Sequence, residues 1–167
     1  MGTGEEHTLA ELYRGWDVYQ RRLVKAIAPL AGAQLDLRAA PHLWPIRTLG
    51  NHVIAARSWW FHTWMGQGGP QFDEMLGWDE DEASGDRPAA EIVRGLELTW
   101  SMIESGLERW SFADLDKEFE RPIPNAEGER PRHSRQWIIW HVAEHDMHHG
   151  GEISFSLGMH NLAGIDL

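Results

Sequence analysis

The chain has 167 residues, no cysteine and a formal net charge of −11. That length suits one domain, expected over 1–167, with a core of its own, and the missing thiols exclude disulfides, thiolate zinc sites and cysteine nucleophiles. The acidic balance speaks against nucleic acid or an anionic membrane as partner. With no apolar run near the roughly 18 residues of a membrane span and no basic leader, a cytoplasmic location is expected.

In chain order, Thr8-Leu9-Ala10-Glu11 fits a capping box ahead of an apolar-periodic run. Leu9, Leu12, Tyr13, Trp16, Leu23, Ile27 and Leu30 then recur at three- and four-residue steps, predicting one long first helix that ends at Pro29 and Gly32. A second helix opens near Pro45, carries Ile46, Leu49, His52, Val53, Ala56, Trp60 and Trp64 inward, and stops at Gly66-Gln67-Gly68-Gly69-Pro70. Residues 66–87 form a long exposed connection, and the acidic run Asp79-Glu80-Asp81-Glu82 is expected to be solvated loop rather than a cation site.

Pro88 starts a third helix with Ile92, Leu96, Trp100, Ile103, Leu107 and Trp110 on one face. Residues 111–133 contain Pro122, Pro124, Gly128 and Pro131, a loop or short hairpin, and a fourth helix runs from about Ser134 to Leu157. Four amphipathic helices with long crossovers and no strand-rich region predict an all-α four-helix bundle, a fold whose metal sites are built from facing helices. The ten tryptophans are expected mainly in the core, the sharper alternative being that some line an apolar substrate pocket.

Four histidines, His141, His145, His148 and His149, fall within nine residues of the fourth helix. His141, His145 and His149 share one face at i, i+4 spacing, close enough for neighbouring imidazoles to meet at one ion. Three turns of helix cover about 16 Å, too far for a single metal to take all three. The pair is therefore His141 with His145 or His145 with His149. Gly150 and Gly151, poor helix formers, suggest room or a close helix contact at the second level and weakly favour the latter pair.

The third ligand must come from elsewhere, and His52 leads, because it lies mid-helix on the apolar stripe of Leu49, Val53 and Ala56, where an unsatisfied imidazole would be costly. His148 points about 100° away from His149, as a supporting or interface residue. Glu152, its i+4 neighbour, either orients that imidazole or is a plain surface carboxylate. His7, His42, His133 and His160 lie at termini or in connections and are read as structural, and His62 is too far along its helix to share a metal with His52.

The segments Trp44-Pro45-Ile46-Arg47-Thr48-Leu49-Gly50-Asn51-His52 and His141-Val142-Ala143-Glu144-His145-Asp146-Met147-His148-His149-Gly150-Gly151-Glu152-Ile153 resemble the DinB/YfiT-like superfamily, whose signature reads H…HxxxHRGQ on a four-helix bundle. The resemblance places the family's metal ligands on His52, His145 and His149. It also implies a homodimer and a class of thiol-dependent S-transferases and isomerases. The chain departs from the signature after the last ligand: Gly150-Gly151-Glu152 stands where the family has Arg-Gly-Gln, so a cation is lost and a carboxylate gained.

Three neutral imidazoles with an open fourth position are the ligand set of a catalytic zinc site. Zinc is the first expectation, with nickel, iron or manganese as alternatives, because imidazole discriminates weakly among these ions. One expected chemistry activates a low-molecular-weight thiol for attack on a small electrophile. A second hydrolyses a small amide or ester with Glu152 or Asp146 carrying the proton. A third reading is non-enzymatic: a metal-binding, stress-associated dimer whose structural metal is closed off by a fourth protein ligand such as His141 or Glu152.

Overall fold

The structure, a computed structural model, describes residues 8–80 and 85–166. His7, Asp81 and Glu82 lie outside those residues. The first helical run is divided: α1 spans Leu9–Leu12 and α2 spans Arg14–Ile27. The break falls at Tyr13 (φ −94°, ψ 18°), where Trp16 N–H donates to the Tyr13 carbonyl in a tighter turn. The Thr8 capping box does not form, because the Thr8 side chain makes no capping bond and Glu11 N–H reaches the Thr8 carbonyl instead. A short α3 (Gly32–Leu35) follows.

Helix α4 (Ile46–Arg57) begins just after Pro45, which serves as its N-cap, and runs on without interruption as a π-helical segment, Ser58–Trp64. The wider turns of that segment bury Ser58, Phe61 and Trp64 and place Trp60 at the rim. The long connection is less irregular than its composition implies, since Pro70–Met75 forms a 3-10 helix with Phe72 and Met75 buried. Helix α5 (Ala89–Arg109) opens after Pro88, and it crosses α4 closely at Gly95, where a Cβ would stand 2.7 Å from Ile54 Cδ1 and from the Trp78 ring. The 111–133 region contains the expected hairpin: β1 (Glu118–Glu120) pairs antiparallel with β2 (Arg132–Ser134), Phe119 opposite His133.

Helix α6 (Arg135–Met159) starts at Ser134, whose hydroxyl accepts from Trp137 N–H at 3.2 Å, a cap that satisfies one free donor of the first turn. The four long helices form the predicted all-α bundle: α4 packs against both α5 and α6, and α2 packs against the same two. Its core holds Trp16, Leu23, Val53, Ile54, Phe61, Leu96, Ile103, Ile138, Val142 and Ile153, each at most 2% exposed. No helix among the described residues is long and apolar enough to cross a membrane.

At the centre of this core lies a polar knot. Arg57 and Asp146 are both fully buried, and Arg57 Nη2 donates to Asp146 Oδ2 at 2.7 Å while its Nε spans both carboxylate oxygens at 3.1 Å. Trp16 Nε1 donates to the same carboxylate at 2.7 Å, and the rest of the guanidinium reaches Gln20 Oε1 and the Leu96 carbonyl. A charge out of water is tolerated only when paired and hydrogen-bonded in this way. Asp146 thus lies on the inward stripe of α6 with Val142, Gly150 and Ile153, and this fixes which way the neighbouring histidines turn.

Candidate metal centre

With Asp146 turned to the core, His145 and His149 emerge together on the adjoining face of α6, one turn apart, their ring centroids 4.4 Å from each other. Across the helix interface, His52 of α4 stands with its ring centroid 4.8 Å from each of them. One ligand atom from each ring can be chosen so that all three lie within 4.8 Å of one another, and the Nε2 atoms of His52 and His145 approach to 3.0 Å. The structure therefore brings together the three residues that the family resemblance implies as ligands.

The outer nitrogens show which tautomers these rings hold. His52 Nδ1 lies 2.6 Å from Asp79 Oδ2, and His149 Nδ1 lies 2.7 Å from Glu152 Oε2. A carboxylate accepts a proton-bearing nitrogen, so both rings are assigned Nδ1–H with the Nε2 lone pair turned inward, the arrangement by which carboxylates orient metal-binding histidines. The buried Nδ1 of His145 has no hydrogen-bond partner among the described residues. Burial, followed by the neighbouring imidazoles of His149 and His52, pushes the His145 pKa down to about 3. Burial likewise lowers that of His149, against the opposing pull of Glu152. Both rings are neutral at pH 7, the form that ligates. Convergent neutral donors, two carboxylate braces and one unpartnered ring nitrogen fit a divalent transition metal.

Several sequence expectations need correction here. Asp79 is no bystander in a solvated loop, since its carboxylate braces His52. Glu152 engages His149 at i+3, and stays 3.9 Å from His148 Nε2, so it does not orient His148, which is exposed. Asp146 cannot carry a proton to a substrate, because it has no exposed surface and is held by Arg57 and Trp16. Gly150 marks a close helix contact, for a Cβ there would collide with the Tyr19 hydroxyl, whereas a Cβ at Gly151 would meet open space.

His141 stays out of the cluster. Its ring stacks on Trp137 (4.7 Å, 15°) and meets Trp60 edge-on, 6.3 Å from His145. His133 stacks on the other side of Trp137 at 3.7 Å. His62 lies apart from the cluster, bound to the Gln67 carbonyl and Asp73, and His160 is bound to the Arg38 carbonyl. His42, expected to be structural, instead borders a cleft beside the imidazoles.

That cleft, of about 350 Å³, is walled by Leu43, Trp44, Leu49 and Phe155 and bordered by His149 and Glu152. Trp44 leans over the site, its ring edge-on to His52 at 5.1 Å and nearly parallel to His149 at 6.3 Å. A larger cavity of about 770 Å³ lies between α2 and α6, lined by Tyr19, Met147 and Met159, but borders none of the three imidazoles. The smaller cleft is the one that serves the site, because chemistry needs contact with the ligands rather than volume. Trp44 and Asp79 were missed in the sequence. The available signal was the placement of an aromatic residue and a carboxylate in the two connections flanking the His52 helix.

Comparison with known proteins agrees with this architecture. A family profile described as the DinB superfamily matches residues 16–153. No curated protein matches in sequence. Among solved structures, the chain is similar to a DinB-like protein from Bacillus cereus (TM-score 0.70, 16% identity, covering 97% of this chain and 99% of that one). It is similar to a conserved protein from Enterococcus faecalis (TM-score 0.67, 13% identity, 91% and 99% covered). It is also similar to a mycothiol-dependent maleylpyruvate isomerase (TM-score 0.56, 13% identity), of which it spans 63% while 92% of this chain is covered. At these identities the structural likenesses speak for the fold.

Proposed function

The chain belongs to the DinB superfamily, and from that membership and the three converging imidazoles we propose a divalent-metal protein whose ligands are His52, His145 and His149. The reading rests on one observation: three ring nitrogens within 4.8 Å, two of the rings braced by carboxylates through their far nitrogens. Zinc is the first ion to test, then nickel, iron and manganese. The proposed reaction is attack of a low-molecular-weight thiol on a small electrophile. The metal, when bound, supplies the Lewis acidity that keeps a thiol as thiolate at neutral pH.

The chain's own residues have definable parts in this scheme. Asp79 and Glu152 hold the Nδ1 protons of His52 and His149 and so keep the inner lone pairs free. Glu152, the catalytic candidate, touches His149 and borders the cleft, which makes it first a positioning residue. Trp44 and Phe155 give the cleft aromatic walls. Support for a thiol comes from the likeness in fold to a mycothiol-dependent maleylpyruvate isomerase. The hydrolase alternative is weaker, because one of its two proton carriers, Asp146, is sealed in the core. The non-enzymatic alternative needs a fourth protein ligand, and His141 is turned into its tryptophan stack. A homodimer is part of the proposal, supported by the exposed Met147, Phe155 and Met159 on α6, and so is residence in the cytoplasm.

Elemental analysis of untagged protein tests the site. Each of His52→Ala, His145→Ala and His149→Ala loses stoichiometric metal, and full retention in any one overturns the assignment. Calorimetric titration with mycothiol, glutathione and cysteine tests the reaction. Metal-dependent binding of one of them is expected, and no binding by any moves the reading to the hydrolase or the structural metal.

A further inference from the structure

The cleft beside the imidazoles is built to discriminate by charge. Its walls are aromatic and aliphatic, Trp44, Phe155, Leu43 and Leu49, and Trp44 and Phe155 are 49% and 62% exposed, so their faces are open to a ligand. Among its described lining residues Glu152 is the one carboxylate, the imidazoles are His42 and His149, and none is a lysine or arginine. His149 Nδ1–H occupies Oε2 of that carboxylate, while Oε1 has His148 Nε2 at 3.9 Å, beyond hydrogen-bond range. One carboxylate oxygen at the border of an aromatic cleft is therefore still able to accept a hydrogen bond.

Such a pairing suits an organic ammonium, attracted by the ring faces and by the carboxylate together. In metal-free protein a carboxylate ligand of the same shape would meet Glu152 with no lysine or arginine among the described lining residues to compensate it. Resting on the metal-site reading above, we infer that the cleft takes a small apolar molecule bearing a protonated amine, and that Glu152 and Trp44 set this specificity against carboxylates.

The test titrates metal-free protein, near neutral pH and followed by ligand-observed NMR, with three matched probes: phenethylamine, 3-phenylpropanamide and 3-phenylpropionate. The ammonium binds at least about tenfold tighter than the carboxylate, with the neutral amide between them. Glu152→Gln, whose amide oxygen still accepts from His149, brings that ratio below about threefold. Trp44→Ala, at a half-exposed position, weakens the ammonium by several-fold. Glu104→Gln removes an equal charge from a different groove and leaves the ratio unchanged.

The inference falls if no probe binds, if the carboxylate binds as well as the ammonium, or if Glu152→Gln leaves the ratio intact. It also falls if Glu104→Gln lowers the ratio equally, for then the preference is a general effect of the acidic surface. Because the probes are read without metal, failure here leaves the ligand assignment standing. Conversely, His→Ala variants that keep their metal would refute the ligands without touching this ratio.

Discussion

Replacing Arg57 by Met tests the claim that one buried ion pair governs both the core and the orientation of the ligand helix. In the native chain, Asp146 receives Nε and Nη2 of Arg57 and Nε1 of Trp16, with no water-exposed surface on either charged partner. Arg57→Met leaves Asp146 as a buried anion with a single donor, and also takes a donor from Gln20 Oε1 and from the Leu96 carbonyl. Removing one partner of a buried pair costs about 3–5 kcal/mol. At this chain length that is roughly a 10 °C fall in Tm. Replacing both partners with apolar residues removes the stranded charge, so Arg57→Met/Asp146→Leu should recover most of the loss, to within about 2 kcal/mol of the native chain.

Urea unfolding followed by far-UV circular dichroism gives all four free energies of the cycle. A single variant within about 1 kcal/mol of native would show that the charge escapes to water or changes state on burial. Simple additivity of the two single losses would equally refute the argument.

Three further outcomes follow from the geometry. Gly151→Ala stabilises the chain by up to about 1 kcal/mol, since its Cβ meets open space, whereas Gly150→Ala strikes the Tyr19 hydroxyl and costs about 1–3 kcal/mol, so thermal melts that shift the same way for both would be inconsistent with this packing. Asp79→Asn weakens metal binding by about 10–100-fold in chelator competition while leaving the far-UV spectrum unchanged, and undiminished affinity would remove Asp79 from the site. Burial lowers the folded-state pKa of His133 and of His141 below 6.5, so on acidification the unfolded chain takes up protons first. Stability is then lost as pH falls below about 6.5 toward the lowered values, and His133→Phe should flatten that slope in metal-free protein; an identical slope would show that His133 contributes none of it.

The parts of this molecule that were legible in its sequence are those written in one local period. Apolar residues three and four apart located α4, α5 and α6, and Ser134 and Pro88 marked two of their starts. The three converging imidazoles were legible in part: helical spacing offered His145 with either His141 or His149, His52 interrupts an apolar stripe, and the family resemblance chose between the pairs. What escaped has no local period. Asp79 meets His52 across 27 positions of chain, and its neighbours look like any acidic loop. The Arg57–Asp146 pair joins residues 89 apart, and a lone charge within an apolar pattern does not announce its partner. Tyr13 breaks the first helix although every residue of that run fits the helical repeat, because the chain there answers to tertiary contacts such as Leu9 N–H with the Trp110 carbonyl.

The π-helical segment also bears on how this scaffold can vary. A π turn holds one residue more than an α turn, so Ser58–Trp64 accommodates an extra residue within an otherwise continuous rod. His52 lies upstream of that segment, while Trp60 and Trp64, which pack on His141, Trp137 and His133, lie within it. Deleting a single residue there would return the segment to α periodicity while leaving the helix faces before and after it nearly in phase, because a π turn spends one extra residue on about the same rotation. One rod thus absorbs a change of one residue in length at Ser58–Trp64 while the imidazole that faces His145 and the helix end beyond Trp64 keep their bearings.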